Sequence, residues 1–275
     1  PITTRIFTVA NQKGGVGKTT SAVNVAAALA MGGLKTLIID LDPQGNASTA
    51  FGISRDEVSG MYEVIIKDLP MQSAALKIPG YPSLEVIPAT QSLANAEVEL
   101  VPMVAREMRL KKSLNNYLLD AANKGERFDY VIIDCPPSLG LLTINALVAA
   151  QELMIPIQCE YYSLEGLTLL LHTVSLIQEH LNPNIKLTTI LLTMFDGRTR
   201  LANDVAAEVR KHYNAELIDI PIPRAVRISE APSYGQTVMT YDPASIGAEA
   251  YGLVAREIAR RGAPSSNSNS EKGVG

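Results

Sequence analysis

The feature that most restricts the fold is a glycine-rich stretch, Asn11-Gln12-Lys13-Gly14-Gly15-Val16-Gly17-Lys18-Thr19-Thr20, which follows the apolar run 6–10 without a break. Glycines let the backbone curl tightly there. Beyond them, Lys18–Met31 has the spacing of a helix. The segment therefore reads as strand, tight loop, helix. The same alternation continues along the chain. Short β-branched runs at Thr36–Asp40, 84–88, Tyr130–Asp134, 153–157, 187–193 and 217–220 are interleaved with helical spacing over 104–122, 139–150, 164–180, 200–213 and 244–261. The runs are continuously apolar rather than alternating, as in strands buried on both faces. The predicted fold class is α/β, a three-layer, mostly parallel twisted sheet flanked by helices.

No linker or internal repeat interrupts this pattern, so residues 1–262 are expected to form one domain. Residues 263–275 have almost nothing to bury and are expected to be a disordered tail. Disorder of the bulk is excluded, since 47% of residues are hydrophobic and the net charge is only -4. The longest weakly polar runs, such as 21–31, fall short of the ~18–20 apolar residues of a membrane span. Residues 1–7 lack a basic flank followed by an apolar core, so no secretion signal is expected. Two cysteines, Cys135 and Cys159, fit neither a redox pair nor a zinc site, and read as thiols in a reducing cytosol. His172, His180 and His212 are scattered without ligand spacing. Aromatic residues are 5% with no Trp, which argues against a stacking platform for single-stranded nucleic acid.

The chemistry of the loop is phosphate binding. The common pattern GxxxxGK[ST] requires glycine where this chain has Gln12, so the strict form fails. What stands instead, Lys13-Gly14-Gly15-Val16-Gly17-Lys18-Thr19, would arise by chance about once in 10⁴ chains of this length. Its glycines let successive N–H groups point inward at phosphate oxygens, with the positive end of the following helix beneath them. Lys18 would contact the β- and γ-phosphates, and the Thr19 hydroxyl would bind Mg²⁺. Two further strands end in acids. Asp40 and Asp42 close the run 36–42, where a parallel strand faces its ligand crevice, although either alone could cap a helix. Asp134 closes Tyr130–Asp134 and suits an acid that holds Mg²⁺ directly or through water.

On these segments, and on 193–200 and 222–235, the chain resembles the deviant Walker-A ATPases, and within them the ParA/Soj partition proteins, over about residues 4–261. The resemblance implies an ATPase, Mg²⁺-dependent and slow by itself, with ATP cradled by Lys13, Gly14, Gly15, Val16, Gly17, Lys18, Thr19 and Thr20. Lys13 would cross a dimer interface to the partner's phosphates, which also stabilises charge spreading over the transferred group. Asp42 would activate the attacking water, and Thr19, Asp42 and Asp134 would serve the metal. Asp40 would support the metal shell or the loop, and Pro223 would lie near the adenine. Lys13, Lys18 and Asp42 are thus the catalytic candidates.

The resemblance also implies an ATP-state homodimer that binds double-stranded DNA without sequence preference and is released when a ParB-type partner stimulates hydrolysis. A cytoplasmic, nucleoid-associated protein without a membrane role follows. The candidate DNA contacts are Arg198, Arg200, Arg224 and Arg227. Residues 181–261 carry ten Lys or Arg against nine acids, so only a local patch, doubled in a dimer, would serve. The alternative is a MinD-like or other deviant Walker-A ATPase that positions a different cargo. Against the membrane-recruited kind, residues 257–262 lead into Ser and Asn rather than an amphipathic helix. Nitrogenase iron-protein relatives would need a cluster-holding cysteine set, and an anion pump would show two copies of the loop.

Overall fold

The first strand, β1 (Arg5–Val9), is buried throughout because its residues serve two cores at once: Ile6 packs to one side of the sheet, Phe7 and Val9 to the other. The computed structural model describes residues 3–15 and 17–262; the tail 263–275 and Val16, for which expectations stand above, lie outside the described residues. After β1 come α1 (Lys18–Met31), β2 (Thr36–Asp40), α2 (Asn46–Ala50), α3 (Met61–Ile66), β3 (Leu76–Ile78), β4 (Tyr81–Ile87), α4 (Ala96–Leu100) and α5 (Arg109–Asn123). The second half runs β5 (Tyr130–Asp134), α6 (Leu141–Ala149), β6 (Glu152–Gln158), α7 (Ser163–His180), β7 (Lys186–Thr193), α8 (Arg200–His212), β8 (Leu217–Ile218), α9 (Val226–Glu230), α10 (Val238–Tyr241) and α11 (Ile246–Arg261).

The eight strands form one sheet in the order β3-β4-β2-β5-β1-β6-β7-β8, parallel except between β3 and β4. Continuous apolar strands follow from the two covered faces. Leu37 and Ile39 of β2 and Val131 and Ile133 of β5 face one core with α3 to α8. Ile38 and Ile132 face the other, under α1, α2 and α9 to α11. Full burial of each such side chain contributes about 1.5–3 kcal/mol, which fixes the strand register against a slip to the wrong face. The predicted three-layer α/β class is the observed one.

Three local differences have physical causes. The segment expected to be helical from 104 begins its helix only at Arg109, after a 3₁₀ turn at Arg106–Met108, because Ala105 is left-handed at φ 51. β3 is an antiparallel edge strand of three residues, too short to show a pattern. β8 stops at Ile218, short of the expected 220, and β7 meets it through only two register pairs.

At the amino end of the sheet, Arg5 and Glu152 form a buried bidentate pair, Nε and Nη2 each donating at 2.8 Å. The remaining Arg5 nitrogen, Nη1, donates to the Ile258 carbonyl at 2.8 Å, so the pair ties β1 and β6 to α11. Glu152→Ala would strand that guanidinium in the interior. It is expected to cost about 3–5 kcal/mol in urea unfolding; a change below about 1 kcal/mol would mean that water reaches the arginine.

Candidate functional site

Register places the site. Asp134, the last residue of β5, pairs across the sheet with Val9 of β1 on one side and Asp40 of β2 on the other. The loops leaving these three strands therefore emerge side by side at their carboxyl ends, the usual ligand position in such sheets. The first loop enters α1 through Gly17, left-handed at φ 73, where an added Cβ would press on Thr193. Gly14 and Gly15 face open space. Asn11 fastens the loop's start, donating from Nδ2 to the Pro156 carbonyl at 2.7 Å and accepting from the Lys13 N–H at 3.0 Å.

Lys18 opens α1 and is almost wholly buried. Its Nζ donates to Asp134 Oδ1 at 2.5 Å and lies 4.0 Å from Asp42 Oδ2. Thr19 Oγ1 donates to the other Asp134 oxygen at 2.8 Å, so one fully buried carboxylate bridges lysine and threonine. Burial pulls the Lys18 ammonium toward its neutral form, but the charge and hydrogen bond of Asp134 outweigh it and hold the group above its ordinary value. Burial raises the Asp42 carboxyl, opposed by the Gln44 N–H and by Lys18.

Asp40, beside Asp134 in the sheet, is held by its own turn. Its carboxylate accepts from Ser48 N at 2.9 Å, Ser48 Oγ at 2.7 Å and Asp42 N at 3.2 Å. Burial, with the charge of Asp134, pushes it up to about 7. Asp40 thus ties the start of this turn to Ser48.

The donor set suits Mg²⁺. Thr19 Oγ1 and the carboxylates of Asp134 and Asp42 are hard oxygen donors already gathered around a cation, the Lys18 ammonium. Among the described residues no group of three or more His, Cys, Asp or Glu could hold a metal. Mg²⁺ in nucleotide sites is held by one or two carboxylates, with waters and phosphate oxygens completing its shell.

Other predicted residues lie around this centre. Thr20 and Gly17 line a cavity of about 270 Å³ with Ile222, Pro223, Arg224 and Tyr251, placing Pro223 beside the loop. Lys13 is not in the buried cluster: half-exposed, it forms an ion pair with Glu160, just beyond β6. The arginines are exposed. Arg198 pairs with Asp196 at 2.9 Å, Arg200 with Asp204 at 3.6 Å, and Arg227 with Glu230 at 3.5 Å and Asp242 at 3.4 Å. Hydrogen bonds from Arg198, with the charge of Arg224 adding, draw the Asp196 carboxyl down to about 2, so these two arginines share a neighbourhood. Cys135 and Cys159 are free and buried, and burial pushes both thiols up, Cys159 to about 11. Asn11, Ser48 and Glu160 carry contacts that no spacing in the sequence announces.

A family profile described as an AAA domain matches residues 4–187. The chromosome partitioning protein ParA of Myxococcus xanthus is 48% identical over 263 residues, 95% of this chain and 90% of that protein. The sporulation initiation inhibitor protein Soj of Bacillus subtilis is 49% identical over 259 residues, 94% of this chain and 99% of Soj. Among solved structures, cobyrinic acid a,c-diamide synthase from Mycobacterium smegmatis with bound ADP and magnesium is similar at a TM-score of 0.79 and 37% identity, covering 94% of this chain and 95% of that one.

Lys18→Ala tests the centre directly. It removes a charge-assisted donor from the buried cluster, and ATP affinity by isothermal titration is expected to fall about a hundredfold. Unchanged affinity would remove the loop from nucleotide binding.

Proposed function

The chain belongs to the ParA/Soj family of partitioning ATPases, and on that footing we propose that it is an ATP-driven DNA segregation switch. It is a Mg²⁺-dependent ATPase of the AAA-domain class. In the proposed cycle, ATP binding closes two copies into a dimer, the dimer holds DNA without sequence preference, and hydrolysis releases it. A ParB-type centromere-binding partner accelerates a turnover that is slow by itself, and the protein is accordingly nucleoid-associated. No described helix is long and apolar enough to cross a membrane.

The observation that carries this reading is the bridged centre at the strand ends, Lys18 and Thr19 on one Asp134 carboxylate with Asp42 facing the same ammonium. Lys18 binds the β- and γ-phosphates, and the amides of Gly14, Gly15 and Gly17 line the loop around them. Thr19, Asp134 and Asp42 hold Mg²⁺, which when bound offsets the charge on the phosphate oxygens. Asp42 orients the attacking water and takes its proton. Thr20 and Pro223 flank the nucleoside in the cavity beyond Gly17. Lys13, which pairs with Glu160 in the single chain, exchanges that partner for the phosphates of a second copy. Arg198, Arg200, Arg224 and Arg227 supply the DNA contacts. Three of them already have acidic neighbours, so DNA phosphates would have to replace carboxylates as partners.

The decisive measurement is double-stranded DNA binding with ATP, with ADP and without nucleotide, across a salt series. Binding only with ATP, indifferent to sequence and weakening steeply with salt, is expected. No binding in any state, with sound ATP turnover, would leave an ATPase with another cargo. Asp42→Ala is expected to dimerise with ATP, seen by light scattering, while turnover drops about a thousandfold. Normal turnover would take Asp42 out of the chemistry. Arg224→Glu should weaken DNA retention and spare ATP-dependent dimerisation; joint loss would place Arg224 at the nucleotide or the interface.

A further inference from the structure

Asp42 sits in a turn whose shape is set from both sides. On the inner side the Gln44 N–H donates to Asp42 Oδ1 at 3.0 Å, and the Gly45 N–H donates to the Asp42 carbonyl at 2.9 Å. Each of those N–H groups belongs to a peptide plane whose other end is a carbonyl, that of Pro43 for the first and Gln44 for the second. Both carbonyls are gripped by one side chain. Arg55, in the turn after α2, donates from Nη2 to the Pro43 carbonyl at 2.6 Å and from Nη1 to the Gln44 carbonyl at 2.8 Å. Its third donor, Nε, reaches the Ala89 carbonyl just beyond β4 at 2.6 Å.

Ala89 closes the bracket. Its N–H donates at 3.0 Å to Ser48 Oγ, the same hydroxyl that donates to Asp40. The turn from Asp40 to Ser48 is thus clamped on its inner edge by Asp40 and Ser48 and on its outer edge by Arg55, and both clamps are anchored on one residue. The approach is close enough that a Cβ at Gly45 would overlap the Arg55 guanidinium, and Gly45 is left-handed at φ 67. Hydrogen bonds from a charged fork are stronger than neutral ones, and a peptide polarised at its oxygen is a better donor at its nitrogen.

We propose that Arg55 is a positioning residue for ATP hydrolysis: by holding the Pro43 and Gln44 carbonyls it aims the Gln44 N–H that orients the Asp42 carboxylate and the Gly45 N–H that fixes the Asp42 main chain. This rests on Asp42 being the acid that serves the attacking water. The Arg55 Nε, Nη1 and Nη2 all donate to backbone carbonyls rather than into the Lys18–Asp134 centre, so loss of Arg55 should act on turnover and not on ATP binding. Lysine, a point charge, can satisfy only part of the fork.

The test compares Arg55→Ala, Arg55→Lys and Asp42→Ala. Arg55→Ala is expected to lower kcat about 10- to 100-fold, with the ATP dissociation constant within about twofold of the parent. Arg55→Lys should recover part of that loss. In the nucleotide-free protein, amide exchange at Gln44 and Gly45 should quicken in Arg55→Ala, a readout that does not depend on turnover. Normal kcat in Arg55→Ala with a dead Asp42→Ala overturns the proposal and leaves the reading of Asp42 standing. Parallel loss of ATP affinity, kcat and thermal midpoint also overturns it, as a merely structural role would. Normal turnover in Asp42→Ala takes down both. Should Arg55→Ala not fold, Arg55→Lys must show the same split between kcat and affinity, and its failure to do so overturns the proposal.

Discussion

Everything at the carboxyl ends of the central strands depends on one buried ion pair, Lys18 with Asp134. A lysine and a carboxylate lose several kcal/mol of hydration each when removed from water, and only close contact with further hydrogen bonds repays it. Thr19 supplies one of those bonds, and the first turn of α1 presents both residues to the same acid. Asp40 and Asp42 add two more carboxylates nearby, so the negative charge exceeds what one ammonium offsets. The fold handles this by turning Asp40 inward onto Ser48 and by pushing its carboxyl toward neutrality. What remains, two oxygen-bearing acids and a hydroxyl around a cation, is the electrostatic condition for a divalent ion beside a polyphosphate.

Much of this was readable in the residues. Lys18–Met31, Thr36–Asp40 and Tyr130–Asp134 coincide with α1, β2 and β5, since each is sharply bounded by glycine, charge or proline. The acids at two of those boundaries and the glycines before α1 mark the candidate centre. The short elements were not readable. α2, α3, α4, α9 and α10 each have six residues or fewer, too little for a helical period to repeat. Their positions come from tertiary packing, as when Ile228 and Val238 fill the core beneath α1. The support of the site was equally hidden. Lys13 meets Glu160 across 147 residues, and Arg55 meets Ala89 across 34, with no spacing rule to connect them.

The arginines show the limit of counting charge. A net balance near zero over the last third of the chain says nothing about local availability, because Arg198, Arg200 and Arg227 each neutralise an acid at most a few residues away or nearby in space. Such exposed pairs contribute little to stability, and salt screens them. They are therefore exchangeable, and an anion of higher charge density competes for the same guanidinium with bidentate geometry.

The strand order has a consequence for how the molecule comes apart. The strands that carry the centre, β2, β5 and β1, are third, fourth and fifth of eight, each paired on both edges. The rims are β3, three residues long, and β8, with two. Local opening begins where few hydrogen bonds and few buried contacts must be given up, so fraying enters from the rims and stops before the middle. A molecule that has shed an edge would keep the floor of its site, and protease cleavage of a rim would not by itself disperse the acids. The freedom that a cycle needs must then reside in the loops above that floor.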